Sequence, residues 1–234
     1  EFYTPRSVVR LLIEILQPYE GRIYDGCCGS GGMFVQSIKF MEAHSGRFNV
    51  SVWGQESNPT TWRLAKMNLS IRRIDANLGE GHADTLLNDN FPDLRADFAI
   101  VNPPFNIKDW GFDSLKDDSR WSYGVPPKKN ANYAWIQHYL HHLSPNGMAG
   151  IVMSNGTLST NTKEEKVIRD GIIDDDKLDC VIALPDRLFT NTPISACIWI
   201  LTNNKTDSRF RSRSKETLFL DCRNMGAMAN RKLR

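Results

Sequence analysis

Ile23-Tyr24-Asp25-Gly26-Cys27-Cys28-Gly29-Ser30-Gly31-Gly32 joins a short apolar run, 22–26, to a segment of helical periodicity at 31–44. A strand that passes through a glycine turn into a helix opens the nucleotide-binding α/β folds. Glycines are required where backbone must approach a ligand closely or take positive φ. A dinucleotide site asks for G-x-G-x-x-G in this loop, but the third position, counted from Gly29 and Gly31, is Phe34. The fingerprint fails where the helix would sit closest to a pyrophosphate. What remains suits a ligand without phosphates, with Gly29, Ser30, Gly31 and Gly32 at its backbone and Asp25 at the strand end to meet an ammonium group.

Outward from this loop, apolar runs rich in β-branched and aromatic residues alternate with longer helical segments, the pattern of a parallel sheet covered by helices. Strands are expected at 22–26, 50–54, 77–80, 97–101, 148–153, 178–184, 196–202 and 217–221, and helices at 5–17, 31–44, 59–73, 131–144 and 163–173. The last three strands follow one another without a helix, so at least one must run antiparallel. Thr4 before Pro5 reads as an N-cap with proline at the first helical position. Pro145-Asn146-Gly147 reads as the turn from the fourth helix into the next strand. Residues 106–127 break the alternation, with Trp110, Trp121, Tyr123 and Pro126-Pro127 but no apolar period. They read either as a lid or docking surface or as a disordered surface insertion.

Three acids stand at three successive strand ends: Asp25, Glu56 after Val52-Trp53-Gly54-Gln55, and Asp84 in Gly81-His82-Ala83-Asp84. All face the carboxyl edge, where open α/β sheets bind ligands. S-adenosylmethionine offers each a partner: an ammonium for Asp25, a ribose diol for Glu56 and an adenine amine for Asp84. After the run Phe98-Ala99-Ile100-Val101 comes Asn102-Pro103-Pro104-Phe105. The Asn102 amide oxygen and the Pro103 carbonyl can each accept one N–H of an exocyclic amine, while Phe105 lies against the ring that carries it. The two prolines, Pro103 and Pro104, fix φ and remove competing donors. Methyl transfer to nitrogen is the chemistry this shelf suits, against the plain alternative of a turn that ends a strand.

Composition bounds the partners. The chain has 234 residues, 41% hydrophobic, with a net charge of +2, enough for one large α/β domain and too weakly basic to argue nucleic-acid binding from charge. Basic residues gather at Arg209, Arg211, Arg213, Lys215, Arg231, Lys232 and Arg234, which reads first as a solvated tail or loop. Five cysteines, at 27, 28, 180, 197 and 222, form no C-x-x-C pair and have no histidine at ligand spacing, so we expect a reduced cytoplasmic protein without a metal site. No apolar segment has the length of a membrane span, and no signal peptide opens the chain. Beginning at Glu1 inside what reads as a functional segment, it is expected to be a piece of a longer protein.

With these residues in hand the chain resembles the DNA adenine-N6 methyltransferases of γ motif order, and most closely the modification subunits of type I restriction–modification systems. Phe2-Tyr3-Thr4-Pro5-Arg6 resembles the first cofactor motif of that subgroup, ahead of the glycine loop and the Asn-Pro-Pro-Phe shelf. Asn155-Gly156 after Gly150 to Ser154, and Leu184-Pro185 through Asn191-Thr192 before Cys197-Ile198-Trp199, also match. Coverage runs from Phe2 to about residue 225. Gly26 stands where the family commonly has proline, and Ala83 where it commonly has glycine.

The resemblance implies a Rossmann-like S-adenosylmethionine-dependent methyltransferase fold over residues 1–234, as the catalytic domain of a chain whose N-terminal helical domain and C-terminal tail lie outside this sequence. It implies that Phe2, Tyr3, Thr4 and Pro5 join the cofactor contacts, and that Asn102 borders the cofactor as well as the base. The implied substrate is a flipped-out adenine in double-stranded DNA, with Phe105 stacking on it; Phe189, in the loop from Pro185 to Pro193, reads either as a second stacking partner or as a core side chain. Sequence recognition is implied to lie on a specificity subunit, and a restriction subunit completes the set. The alternatives are a protein-glutamine or ribosomal-RNA amine methyltransferase, which shares the shelf; an inactive scaffold that holds a specificity subunit; and a nicotinamide oxidoreductase, which Phe34 disfavours.

Overall fold

A computed structural model describes residues 3–45, 49–189 and 194–227. In chain order the elements are α1 (Arg6–Leu16), β1 (Glu20–Asp25), α2 (Gly32–Ser45), β2 (Asn49–Gly54), α3 (Pro59–Ile71), β3 (Ala76–Asn77), β4 (Ala96–Val101), α4 (Phe112–Leu115), α5 (Asn132–His142), β5 (Leu143–Ser154), α6 (Gly156–Ser159), α7 (Lys163–Asp174), β6 (Leu178–Ala183), β7 (Ala196–Thr202) and β8 (Leu218–Asp221). The strands form one sheet in the order β3-β2-β1-β4-β5-β7-β6-β8. β7 pairs antiparallel with both β5 and β6, and the other pairings are parallel. This is the α/β architecture expected from the alternation, with β7 as the reversed strand.

Alternation along each strand divides the core between the two faces of the sheet. Ile23, Phe98 and Ile100 face α1, α2 and α3, while Tyr24, Ala99 and Val101 face α5 and α7. α1 buries Val8, Val9, Leu12, Ile13 and Leu16 along one stripe and stops at Gln17, whose left-handed backbone (φ 47°) returns its N–H to Ile13 O. α3 begins where the Asn58 side chain accepts from the Thr60 and Thr61 N–H groups, with Pro59 at the first position.

Four details depart from expectation. The N-cap of α1 is Pro5, and no side chain caps it, so Thr4 is free for another contact. β3 is only two residues long because Gly79 turns the chain at φ +71°, and Asn77 Oδ1 accepts the Gly79 N–H. Asp84 therefore lies well past the strand rather than at its end; the loop is aligned by the Ala83 N–H bonding Glu56 O. Pro145-Asn146-Gly147 lies within β5, as an irregularity between the Ala96–Leu143 and Phe98–Met148 pairs.

The fourth concerns 106–127. Trp110, Leu115 and Trp121 are buried in the core, so this is a folded cover and not a disordered insertion. It lies along α5, nearly all of which is buried. Gln137 accepts the Tyr123 N–H and donates to Gly124 O, both at 2.9 Å, and Asn132 makes a matching pair with Asn106. Arg120, 6% exposed, bonds Asp118, Thr85 O, Leu86 O and His138.

Candidate active site

The glycine loop, the Asp84 loop and the shelf converge on one cavity of about 680 Å³ at the carboxyl edge of β1, β2 and β4. Gly29 and Gly31 have positive φ (57° and 77°), which lets the chain leave β1 and enter α2 within one turn. A Cβ on Gly26 would stand 2.8 Å from both Thr85 Cγ2 and the Tyr24 hydroxyl, so glycine is demanded there by this chain's own neighbours. Thr85 Oγ1 also bonds Gly26 O, tying the loop to the Asp84 segment.

Asp25 is 1% exposed and accepts from the Cys27 N–H at 2.9 Å. Burial pushes its carboxyl up to about 7, against the Cys27 hydrogen bonds and with the Glu56 charge. Glu56 is clamped by backbone donors: Gly29 N–H at 3.1 Å on Oε2 and Asn58 N–H at 2.8 Å on Oε1. Asp84 Oδ1 accepts from Leu86 and Leu87 N–H, and the side chain lines the cavity. Asp25, Glu56, Asp84 and Asp109 all line it, and among the described residues no lysine, arginine or histidine does. Such a lining repels phosphates and favours a cationic ligand.

The shelf is held at both ends. Val101 is buried in β4, and the Asn106 N–H bonds Asn132 Oδ1 at 2.9 Å just past Phe105. Asn102 Nδ2 donates to Thr4 Oγ1 at 2.9 Å, while Asn102 Oδ1 is buried without a protein partner. Pro103, Pro104 and Phe105 line the same cavity, as do Tyr3, Ser30 and Gly32.

The remaining expected residues fall elsewhere. Gly31 does not line the cavity; a Cβ there would meet Leu69 of α3 at 3.2 Å, so it serves close packing. Pro5 lies behind Thr4 as the cap of α1. Phe189 is 3% exposed and meets Phe105 edge-on, with ring centroids 6.4 Å apart, so it buttresses Phe105 and presents no open face of its own. Phe2, Asn191 and Thr192 lie outside the described residues.

Leu86, Ile107 and Trp135 also line the cavity and were not singled out from the sequence, and Trp110, noted there only as part of 106–127, lines it too. Trp135 Nε1 is buried without a protein partner. The signal was available, since Trp135 stands on the helix that follows the shelf, but nothing in its spacing separates it from a core tryptophan.

Asp89, His138 and His142 bring ligand atoms within 4.8 Å of one another, a grouping hidden in the sequence because Asp89 stands far from the two histidines. Their polar atoms are engaged by protein. Arg120 can only donate, so His138 Nδ1 accepts from it, and Nε2 then carries the hydrogen and bonds the Tyr24 hydroxyl at 3.0 Å. Burial holds His138 well below the usual histidine range. His142 bonds Leu94 O and Asp89 at 3.0 and 2.8 Å. The arrangement fits a structural network better than an ion site.

The fold is that of the Rossmann-like methyltransferases: the structure of a putative class I S-adenosylmethionine-dependent methyltransferase from Listeria monocytogenes superposes with TM-score 0.73 at 20% identity, over 93% of this chain and 64% of that one. The family model for N-6 DNA methylases matches residues 1–234, and the chain belongs to that family. It is 50% identical over 235 residues to the type I restriction enzyme HindI methylase subunit of Haemophilus influenzae, which covers all of this chain and 52% of that protein. The type I restriction–modification methyltransferase subunit of Streptococcus thermophilus superposes with TM-score 0.82 at 30% identity, over 94% of this chain and 47% of that one. The chain thus spans about half the length of these type I relatives. No helix among the described residues is long and apolar enough to cross a membrane.

Proposed function

We propose that residues 1–234 form the catalytic domain of a type I modification subunit, which methylates the N6 amine of adenine in double-stranded DNA inside the cytoplasm, together with a specificity subunit and a restriction subunit. The observation that carries this reading is the buried Asn102 Oδ1, an acceptor without a protein partner, on a proline-stiffened shelf beside an acidic cleft. S-adenosylmethionine, when bound, supplies the activated methyl group. Its fit rests on the acceptors and glycines of the lining: Asp25 for an ammonium, the clamped Glu56 for a diol, Asp84 for an adenine amine, and the backbone at Gly29, Ser30 and Gly32 for close approach. Thr4 stands beside the shelf and Tyr3 beside Gly32 of the glycine loop, and Leu86, Ile107 and Trp135 supply apolar walls for a flat ring.

Asn102 Oδ1 and the Pro103 carbonyl accept the two N–H groups of the target amine, which draws its lone pair out of conjugation and stabilises the positive charge that builds on nitrogen. Phe105 lies against the base, and Phe189 holds Phe105 in place. An amide is no general base, so the surplus proton leaves to water. Extracting the base from the duplex costs a few kcal/mol.

Replacement of Asn102 separates chemistry from cofactor binding. Asn102→Ala should abolish transfer of tritiated methyl groups to DNA while calorimetry finds cofactor affinity nearly unchanged. Asn102→Asp should keep partial activity, because a carboxylate oxygen accepts the same bond. Joint loss of affinity and activity would assign Asn102 to folding instead.

A further inference from the structure

Asn102 has one task in this reading, to accept a hydrogen bond, and one chemical ambiguity. The two ends of a primary amide are nearly identical in shape and opposite in hydrogen-bonding sense. Turned one way, Asn102 offers an acceptor to the incoming amine; turned the other way, it sets its own N–H groups against those of the amine. Which end the substrate meets depends on which end is held outside the shelf, and here the nitrogen end is held.

We propose that Thr4 is the positioning residue of the acceptor site: by accepting an N–H from Asn102 Nδ2 at 2.9 Å, it keeps the carbonyl end of the amide toward the substrate amine. Asn102 Oδ1, buried and without a protein partner, is the end left available. The inference deepens the proposed adenine methylation and rests on it. It also changes the part expected of Thr4, from cofactor contact to orienter of a neighbouring side chain.

Thr4 is well placed for this. Pro5, with φ −58° and ψ 143°, fixes the backbone direction immediately after it. The Pro5 carbonyl accepts from Val8 and Val9 N–H at 3.0 and 3.1 Å, and both valines are buried against the sheet. The hydroxyl is thereby delivered by a packed helix and not by a loose chain end. The contact joins residues 98 apart in sequence, which no reading of local spacing reveals.

A double-mutant cycle tests the idea, with the complete methylase complex acting on adenine-containing duplex DNA. Thr4→Val should lower kcat about 10- to 100-fold, while the affinity for S-adenosylmethionine stays within about 2-fold, and Thr4→Ser should recover most of the loss. In an Asn102→Asp background both oxygens accept, so no choice of end remains, and Thr4→Val should then cost less than about 3-fold. Equal losses in the two backgrounds, or a loss confined to cofactor affinity, overturn the proposal. A second readout is independent of turnover: in the isotope-labelled chain, exchange of the Asn102 side-chain amide protons should be slow and should accelerate in Thr4→Val. Unchanged exchange overturns the contact. If the unmutated complex fails to methylate adenine at all, the functional reading falls, and amide exchange alone then upholds or overturns the link between Thr4 and Asn102.

Discussion

Asp25 carries the clearest consequence at the scale of single residues. Burial keeps its carboxyl protonated up to about pH 7, whereas in the unfolded chain it ionises near the ordinary aspartate value. The folded form therefore binds the extra proton, and the free protein should lose stability as pH rises from about 4 through about 7. A cationic group placed against Asp25 reverses the preference and expels the proton. Titration with S-adenosylmethionine at about pH 6 should release close to one proton, and the release should fade above about pH 8. Calorimetry in buffers of different ionisation enthalpy measures this directly, and Asp25→Asn should remove it. Proton uptake, or no release at either pH, would take Asp25 out of the ligand site.

Arg120 decides matters at the scale of elements. It ties the 106–127 cover to the Asp84 loop through two carbonyls and to α5 through His138, with Asp118 as its counter-ion. Arg120→Met strands those acceptors and leaves Asp118 without its partner. The expected cost is about 3–5 kcal/mol, as for breaking a mostly buried pair, or a fall of roughly 10 °C in Tm for a chain of this size. A melting curve checks it; an unchanged midpoint would show that packing of Trp110 and Trp121 holds the cover alone. The same network explains what the sequence concealed. β7 could be read to its ends because every residue of Ala196–Thr202 is buried and all but Thr202 are apolar, and Asp25 and Glu56 could be placed because a strand end is a local event, whereas Asp84 sits on a loop well past β3. The cover could not be read. Its tryptophans follow no period, and the face of α5 beneath it carries Asn132, Gln137, His138 and His142, which look solvated until their partners, many residues away, are supplied. Thr4 was misjudged for the same reason: a local cap was the obvious use for its hydroxyl, and a distant amide took it.

For the molecule as a whole, the question is how much of DNA recognition this chain can contain. All its described elements belong to one sheet and the helices that cover it. With a net charge of +2 spread over 234 residues, neutralising several phosphates requires help. We expect the isolated chain to transfer tritiated methyl groups to random-sequence DNA weakly and without sequence preference, and to become selective only with a base-reading subunit. Robust transfer confined to one short sequence would place the reader within these residues, with the 106–127 cover as the first place to look.

The strand order has a consequence for the order of synthesis. β3, β2, β1 and β4 occupy one half of the sheet and come from the first 101 residues, while β5, β7, β6 and β8 fill the other half and come from residues 143–221. Among the described residues the cavity lining runs from Tyr3 to Trp135. A ribosome thus completes every described wall of the cleft before it has made the strand that closes the second hydrogen-bonding edge of β4. At roughly 5–20 residues per second, the nascent chain spends a few seconds with β4 paired to β1 on one side and open on the other. Readiness to bind is then set by β5, a strand that contributes nothing to the pocket it completes.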